Sequence, residues 1–284
     1  VIGLRAGDPS DKDLQRAEGC GRIVASSFGN DTRIVDIFQR SPIRIMFPRM
    51  EGALKEAVLV NIAGGIAGGD RLEYVVTALS SASIAVTSQA AEKVYRALSE
   101  PAQVATKLKV CNAAKLAWLP QETIVFNSAR LRRETEIILS AGAELIALEW
   151  LVLGRAARGE KMIAGHITDS WRVRKDGRLI WADTFRVTDE IFPHLHRKAL
   201  LSDCHALATL VYFGPSLNKQ MDLSREIALS LECNCAVTSV SELMILRFAA
   251  KDASDLRLAL RSFLQCFSQE SEPSPFRVPK MWSC

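Results

Sequence analysis

The chain lacks any long apolar run. Its most hydrophobic segment, Ala143 to Leu153, is interrupted by Glu144 and Glu149. That is short of the roughly 18 to 20 uninterrupted apolar residues a membrane-spanning helix requires, so no membrane association is expected. A marked charge of one sign is also missing: 36 Lys and Arg face 32 Asp and Glu, a formal +4. This surplus lacks the concentrated basic footprint of a nucleic-acid binder, and an acidic protein partner accounts for it equally well. Cysteines in metal or redox spacing are absent too. The seven are odd in number and scattered, with no CxxC, which argues against a disulfide framework and predicts a reduced, cytoplasmic setting. Near the start, Asp8, Asp11 and Asp13 stand where a secretory signal would have a basic segment leading into an apolar one. The missing initiator Met leaves room for an earlier segment.

What is present is the balance of an ordinary globular protein: 48% hydrophobic and 24% charged residues, with 16 Gly and 10 Pro. Disorder, collagen-like repeats and fibrous coils are thereby excluded as the main content. A length of 284 residues suits one large domain or two modest ones. No linker or short repeat divides it, so a single domain over residues 1–284 is expected, β-rich over about 33–190 and mixed over about 191–284.

Short β-prone runs separated by turn residues dominate the first two thirds, at the spacing of an all-β sandwich or solenoid. Strands are predicted at Arg33 to Gln39, Ile43 to Phe47, Ala57 to Ile62, Arg71 to Leu79, Ser83 to Ser88, Ala105 to Cys111, Lys115 to Leu119 and Thr123 to Phe126. Further strands are predicted at Arg130 to Leu139, Ala143 to Leu153, His166 to Lys175 and Arg178 to Phe185. Alternation in Ser83 to Thr87 and in Ser170 to Arg174 puts every second residue on a core face. Asp176-Gly177 between two such runs signals a hairpin, because both turn positions favour positive φ. Past Phe192 the pattern changes. Asp222 to Leu231 reads as an amphipathic helix capped by Asp222 or Ser224, Glu232 to Val240 and Glu242 to Ala249 as strands, and Asp252 to Phe267 as the best helix. A Ser/Glu/Pro segment, Ser268 to Pro275, is expected to end it.

Several strings could carry chemistry. Asn61-Ile62-Ala63-Gly64-Gly65-Ile66-Ala67-Gly68-Gly69-Asp70 is a Gly-rich loop after a strand, a setting in which backbone N–H groups can cradle phosphate. It fits neither GxxxxGK[ST] nor GxGxxG, a strand follows it, and the Asp70 charge would repel phosphate; a sharp strand connection is the simpler reading. Ser88 to Arg96 mixes an amide, both charge signs and a phenol, and suits either an anionic or acidic partner or a solvated strand edge. Trp118 to Thr123 reads as a turn, and Gly154 to Glu160 as a small basic loop. His194 and His196 and, later, Cys233 and Cys235 are weak metal candidates, since i and i+2 share a face of a strand, and Cys204 and His205 join them by lying within a dozen residues of the first pair, but no standard zinc spacing is met. Asp70, Glu149, Glu160, Asp169 and Asp183 supply carboxylates without a spacing that marks an acid and base pair. There is no GxSxG elbow, and four His limit the choice of base.

Taken in order, four strings resemble the urease accessory protein D family (UreD, also called UreH). They are Asn61 to Asp70; Thr87-Ser88-Gln89-Ala90-Ala91-Glu92-Lys93-Val94-Tyr95-Arg96; Leu119-Pro120-Gln121-Glu122-Thr123-Ile124; and Glu149 with Gly154-Arg155 leading to Gly159-Glu160. Pro279-Lys280-Met281-Trp282 is similar to the family's ending. The likeness is strong over about Arg33 to Asp183, and general elsewhere.

The resemblance implies a mainly β, solenoid-like or layered-sheet scaffold with a few helices in the C-terminal third. It implies a non-catalytic urease maturation factor that binds apo-urease, recruits accessory protein F and, through it, the GTPase accessory protein G, and passes nickel through an internal channel. Nickel would be in transit, with no tightly bound cofactor; oxygen-rich walls suit that, because they release a divalent ion that a Cys/His cage would hold. Asp70 falls on the family's Gly-Gly-Asp acid, and Asp183 stands where many members have Glu, so both are channel candidates. Gly64, Gly65, Gly68, Gly69, Gln89, Lys93, Tyr95, Pro120, Gln121, Glu149, Arg155 and Glu160 fall on motif positions expected to be framework or channel lining. The alternative is a small-ligand or nucleotide-binding enzyme using the Gly64 to Asp70 loop.

Overall fold

The computed structural model describes residues 15–49, 54–155, 159–160, 162–271 and 276–283. Among these the first sheet takes β1 (Glu18–Phe28), β2 (Asp31–Arg40), β5 (Arg71–Ala78), β8 (Ala102–Val110), β11 (Arg130–Leu139), β13 (His166–Lys175) and β14 (Arg178–Val187). The second takes β3 (Ile43–Met46), β4 (Lys55–Asn61), β6 (Ser83–Ser88), β9 (Lys115–Trp118), β12 (Glu144–Leu153), β15 (Ala206–Phe213), β16 (Asn234–Val240) and β17 (Leu243–Ala250). Two short strands, β7 (Glu92–Val94) and β10 (Thr123–Val125), pair with each other, and β10 joins the second sheet through β12.

The chain winds. It places β4, β6, β9 and β12 in parallel order in the second sheet and β5, β8, β11 and β13 in parallel order in the first. Parallel neighbours need long crossovers, and here each crossover is a strand of the opposite sheet, which is the logic of a solenoid. Antiparallel strands finish both ends: β1–β2 and β3–β4 at one, β13–β14 and the run β12–β15–β17–β16 at the other.

Side-chain alternation follows from that layering. Along β11, Leu131, Arg133, Thr135, Ile137 and Leu139 are buried while Arg132 and Ile138 are exposed. Ile23, Val76, Leu108, Ile137, Leu145 and Val173 fill the space between the sheets. Every residue of β12 from Leu145 onward is buried, because its other face is covered by helices α1 (Leu217–Leu229) and α2 (Ala253–Glu270). Leu256, Leu260, Phe263, Leu264 and Phe267 form the inward stripe of α2, each worth roughly 1.5–3 kcal/mol when fully buried. The C-terminal segment closes over the same layer: Trp282 stacks on Trp150 with ring centroids 5.9 Å apart, and its Nε1 donates to the Leu119 carbonyl at 2.9 Å.

The mainly β architecture and the C-terminal position of both helices are as expected. The Asp176-Gly177 hairpin also forms, with φ of 47° and 80° between antiparallel β13 and β14. Three strands were not anticipated. β1 carries Gly19 and Gly21, which weaken strand preference, but a Cβ at position 19 would lie 2.8 Å from Leu72 Cδ2, so close packing asks for the glycine. β7 has three residues, and β15 is a continuous apolar run that periodicity cannot separate from helix. Helix α1 starts at Leu217, with Ser216 as its cap residue and no side-chain cap bond. Asp222 and Ser224 thus lie inside it, because burial of Gln220 and Met221 extends the packed face toward the N-terminus. Asp252 caps α2, accepting from the Ser254 and Asp255 amides, and the helix runs three residues past Phe267.

Candidate functional site

Three charged side chains are buried where the two sheets face each other. Arg133 on β11 is 2% exposed, Glu149 on β12 6% and Asp169 on β13 7%. Their place follows from strand parity: each sits in an inward row with apolar neighbours, and register sets Arg133 beside Asp169. The guanidinium makes four hydrogen bonds. Nε and Nη2 donate to the two Asp169 oxygens at 2.9 and 2.7 Å, and Nη1 donates to Glu149 Oε2 at 2.7 Å and to Thr123 Oγ1 at 3.1 Å. Trp118 Nε1 donates to the other Glu149 oxygen at 2.8 Å.

Burial works against the Arg133 charge, but Asp169 and Glu149 outweigh it and hold the side chain cationic. Burial also pushes the Glu149 carboxyl above the ordinary carboxylate range, with Arg133 and Trp118 opposing and Asp169 reinforcing. A carboxylate in this state holds protons and cations more readily than one in water, because it lacks solvation.

Two clefts meet this cluster in succession along the stack. The first, about 190 Å³, lies among β4 to β10 and reaches β12, and is lined by Tyr74, Glu92, Thr106, Trp118, Thr123 and Glu149, among others. The second, about 450 Å³, lies among β12 to β17, and its polar lining includes Glu149, Asp169, Asp183, Thr209 and Arg247. Glu149 is common to both. In the first cleft Asn61 Nδ2 donates to both Glu92 oxygens at 3.1 and 3.0 Å. Burial raises the Glu92 pKa against that hydrogen bond, and burial, then Glu92 and Glu149, raise that of the Tyr74 phenol. In the second, Arg247 Nη2 lies 2.7 Å from Asp183 Oδ2.

The sequence candidates divide between these clefts and the frame around them. Gly64, Gln89, Lys93, Pro120 and Gln121 line the first cleft with Glu149, and Asp183 lines the second. Asp70 is 6% exposed, and its oxygens accept from the Ala17 and Ala67 amides, each at 2.8 Å. It lines neither cleft. The Gly-rich loop uses its own donors: the amides of Ile66, Gly69 and Asp70 go to the carbonyls of Lys93, Pro101 and Ala67. With Ala67 N–H on Asp70, the loop does not present these amides to a phosphate. At Gly65, φ 152°, a Cβ would meet the Tyr95 ring at 2.5 Å, and Tyr95 Oη donates to Gly64 O at 2.9 Å. At Gly68 a Cβ would lie 2.6 Å from the Glu100 carbonyl, and Gly69 has φ 87°. Arg155 pairs with Glu160 at 2.7 Å and lies over the Phe126 ring; Ala156 to Arg158 lie outside the described residues.

The histidine and cysteine candidates sit in loops and at a sheet edge, and the strand-face chelation expected of them is not formed for His194 and His196. His194 ends a 3₁₀ turn, Phe192–His194, and His196 follows it in a loop. Cys204 and His205 precede β15, Cys204 within 3.8 Å of Asn234 Nδ2, and Cys233 precedes β16. Burial, reinforced by Cys233, pushes the Cys235 thiol up to about 12, and burial with Cys204 raises Cys233. Among the described residues no three His, Cys, Asp or Glu side chains are grouped to hold a metal ion, and no helix is long and apolar enough to cross a membrane.

Arg133 is the residue that the motif reading passes over. A signal was present, because Leu131, Arg133, Thr135 and Ile137 share one parity, which puts a charge on an apolar face. Asp169, between Ile167 and Trp171, carries the same mark.

A family model described as UreD urease accessory protein matches residues 17–283. The chain belongs to the UreD urease accessory protein family. A urease accessory protein UreD of Xanthobacter autotrophicus is 39% identical, covering 97% of this chain and 96% of its own length. Those of a Methylobacterium species and of Rhizobium johnstonii are 37% and 38% identical, covering 96% and 95% of this chain and 97% and 96% of themselves. The UreD match runs from the start of β1 to the C-terminal turn, so it includes Arg133, Glu149, Asp169 and both clefts.

Proposed function

We propose that this chain acts in urease maturation as a non-catalytic scaffold and nickel conduit. It binds apo-urease, recruits accessory protein F and through it the GTPase accessory protein G, and passes nickel(II) toward urease. The observation that carries the conduit is the succession of two clefts sharing Glu149, with Glu92 and Tyr74 on one side and Asp169 and Asp183 on the other. Oxygen donors spread along a path bind nickel(II) more weakly than nitrogen or sulfur donors would and let it move on. We assign Asp183 and Glu149 to the conduit wall. Asp70, with both oxygens on backbone amides, we assign to the frame that joins the glycine loop to β1.

The test is co-expression with urease and its accessory proteins, followed by purification and metal analysis of urease. Glu149→Gln and Asp183→Asn are expected to leave the complexes with apo-urease and protein F intact while lowering urease nickel content severalfold. Wild-type nickel content in Glu149→Gln, or loss of both complexes with the wild-type chain, overturns this reading. Asp70→Ala is expected to lower the yield of folded protein instead, since two half-buried amides lose their acceptors.

A further inference from the structure

If the two clefts form one path, their junction needs explaining, because a buried arginine stands in it. Arg133 donates to Thr123, which lines the first cleft, to Asp169, which lines the second, and to Glu149, which lines both. The strand order says the same: β11 lies between β8 and β13, and β12 between β9 and β15. The wall between the clefts is therefore a carboxylate pair with a guanidinium held between.

Such a pair without its arginine would be a strong divalent-cation site. Two desolvated carboxylates neutralise one dication, and in a poorly solvated interior that attraction is large. A site of that strength would end transit. With Arg133 present, its N–H groups engage both Asp169 oxygens and one Glu149 oxygen, and an added dication would leave the cluster with excess positive charge. Arg suits this place better than Lys, because the planar fork serves both carboxylates at once and stays charged when buried.

We infer that Arg133 is a resident cation that keeps the junction from trapping the travelling metal: it satisfies Glu149 and Asp169 at rest, and a divalent ion crosses only by displacing it. The inference rests on the conduit reading and assigns a residue to the step between the clefts. A further polar group lies at the same wall. Thr135, the next inward residue of β11, is 2% exposed and its hydroxyl has no hydrogen-bond partner. Its register neighbours are Thr106, which lines the first cleft, and Trp171, which lines the second. It offers an unused oxygen beside the point of exchange.

The experiment measures nickel(II) binding by the purified full chain, using equilibrium dialysis and calorimetry, in wild type, Arg133→Met, Arg133→Lys and the charge-free combination Arg133→Met/Glu149→Gln/Asp169→Asn. Arg133→Met is expected to gain about one retained nickel ion per chain, with affinity at least about tenfold above wild type. The charge-free combination should return to the wild-type level. In co-expression, Arg133→Met should load less nickel into urease although the chain itself carries more. Wild-type retention by a folded Arg133→Met overturns the inference, and so does retention that survives in the charge-free combination. Should Arg133→Met not fold, Arg133→Lys decides: its single ammonium cannot span both carboxylates, so severalfold tighter nickel binding supports the inference and wild-type affinity overturns it. The conduit reading has its own readout in the nickel content delivered by Glu149→Gln, so either can fail alone.

Discussion

Arg133 and Arg247 each meet an aspartate at 2.7 Å, yet the two pairs do different work. Arg133 lies between the sheets with all its partners buried. Arg247 lies where β17 faces the open edge strand β14, its side chain 53% exposed and that of Asp183 26%. An exposed pair exchanges protein contacts for water at little cost and contributes at most about 1 kcal/mol. A buried pair cannot make that exchange, so removing one member strands the other's charge. One geometry thus yields a stiff junction in the interior and a soft, solvent-responsive contact at the rim of the second cleft. In the proposed conduit, metal passing Asp183 would have only to compete with water and a loosely held arginine.

The largest expected difference is in stability. Arg133→Met should cost about 3–5 kcal/mol, the range for breaking a buried pair, read as loss of unfolding free energy in urea. If Arg133→Met proves no costlier than Arg247→Met, solvent access is not what separates the two sites.

A second test uses Glu92, a carboxylate of the interior whose bonded partner is the neutral Asn61. Burial holds its pKa above the ordinary value of about 4.3. The folded state therefore binds this proton more tightly than the unfolded state does. Stability is lost as pH rises from that ordinary value through the folded one, at no more than about 1.4 kcal/mol per pH unit for a single proton. Glu92→Gln should flatten this slope, so that its melting temperature gains on wild type as pH rises and then levels off. A constant gap from pH 4 to 8 would remove burial as the cause.

Smallest of all is the rim. Arg247→Met should change stability by at most about 1 kcal/mol, and the change should shrink in 0.5 M salt, where charge interactions are screened within about 5 Å. A larger, salt-insensitive effect would mean that Arg247 behaves as Arg133 does.

Much of this is legible in the sequence. Alternation set the inward row of β13, the limits read for β11 and β13 agree with the structure, and Asp176-Gly177 set the neighbouring hairpin; at Ser83 to Thr87 alternation did not give the faces, because Ile84 to Thr87 are all buried. The family motifs picked out the first cleft through Gln89, Lys93, Pro120, Gln121 and Glu149. Asp70 lines neither cleft for a physical reason. A carboxylate at the end of a glycine loop looks the same in sequence whether it faces a ligand or caps two amides, and here it caps the Ala17 and Ala67 amides, the first of them 53 residues away. The His and Cys pairs were weak candidates from the start, and i and i+2 share a face only where the chain is a strand, which at His194 and His196 it is not.

By itself the sequence determined a β-rich chain, its strand faces, its hairpin and its likeness to one family, because these depend on local periodicity, turn chemistry and ordered motifs. The tertiary structure decided which inward charges meet. Arg133, Glu149 and Asp169 come from three strands in two sheets, and their contact depends on how successive turns of the chain stack. That stacking is set by long-range register and packing, which no local pattern encodes.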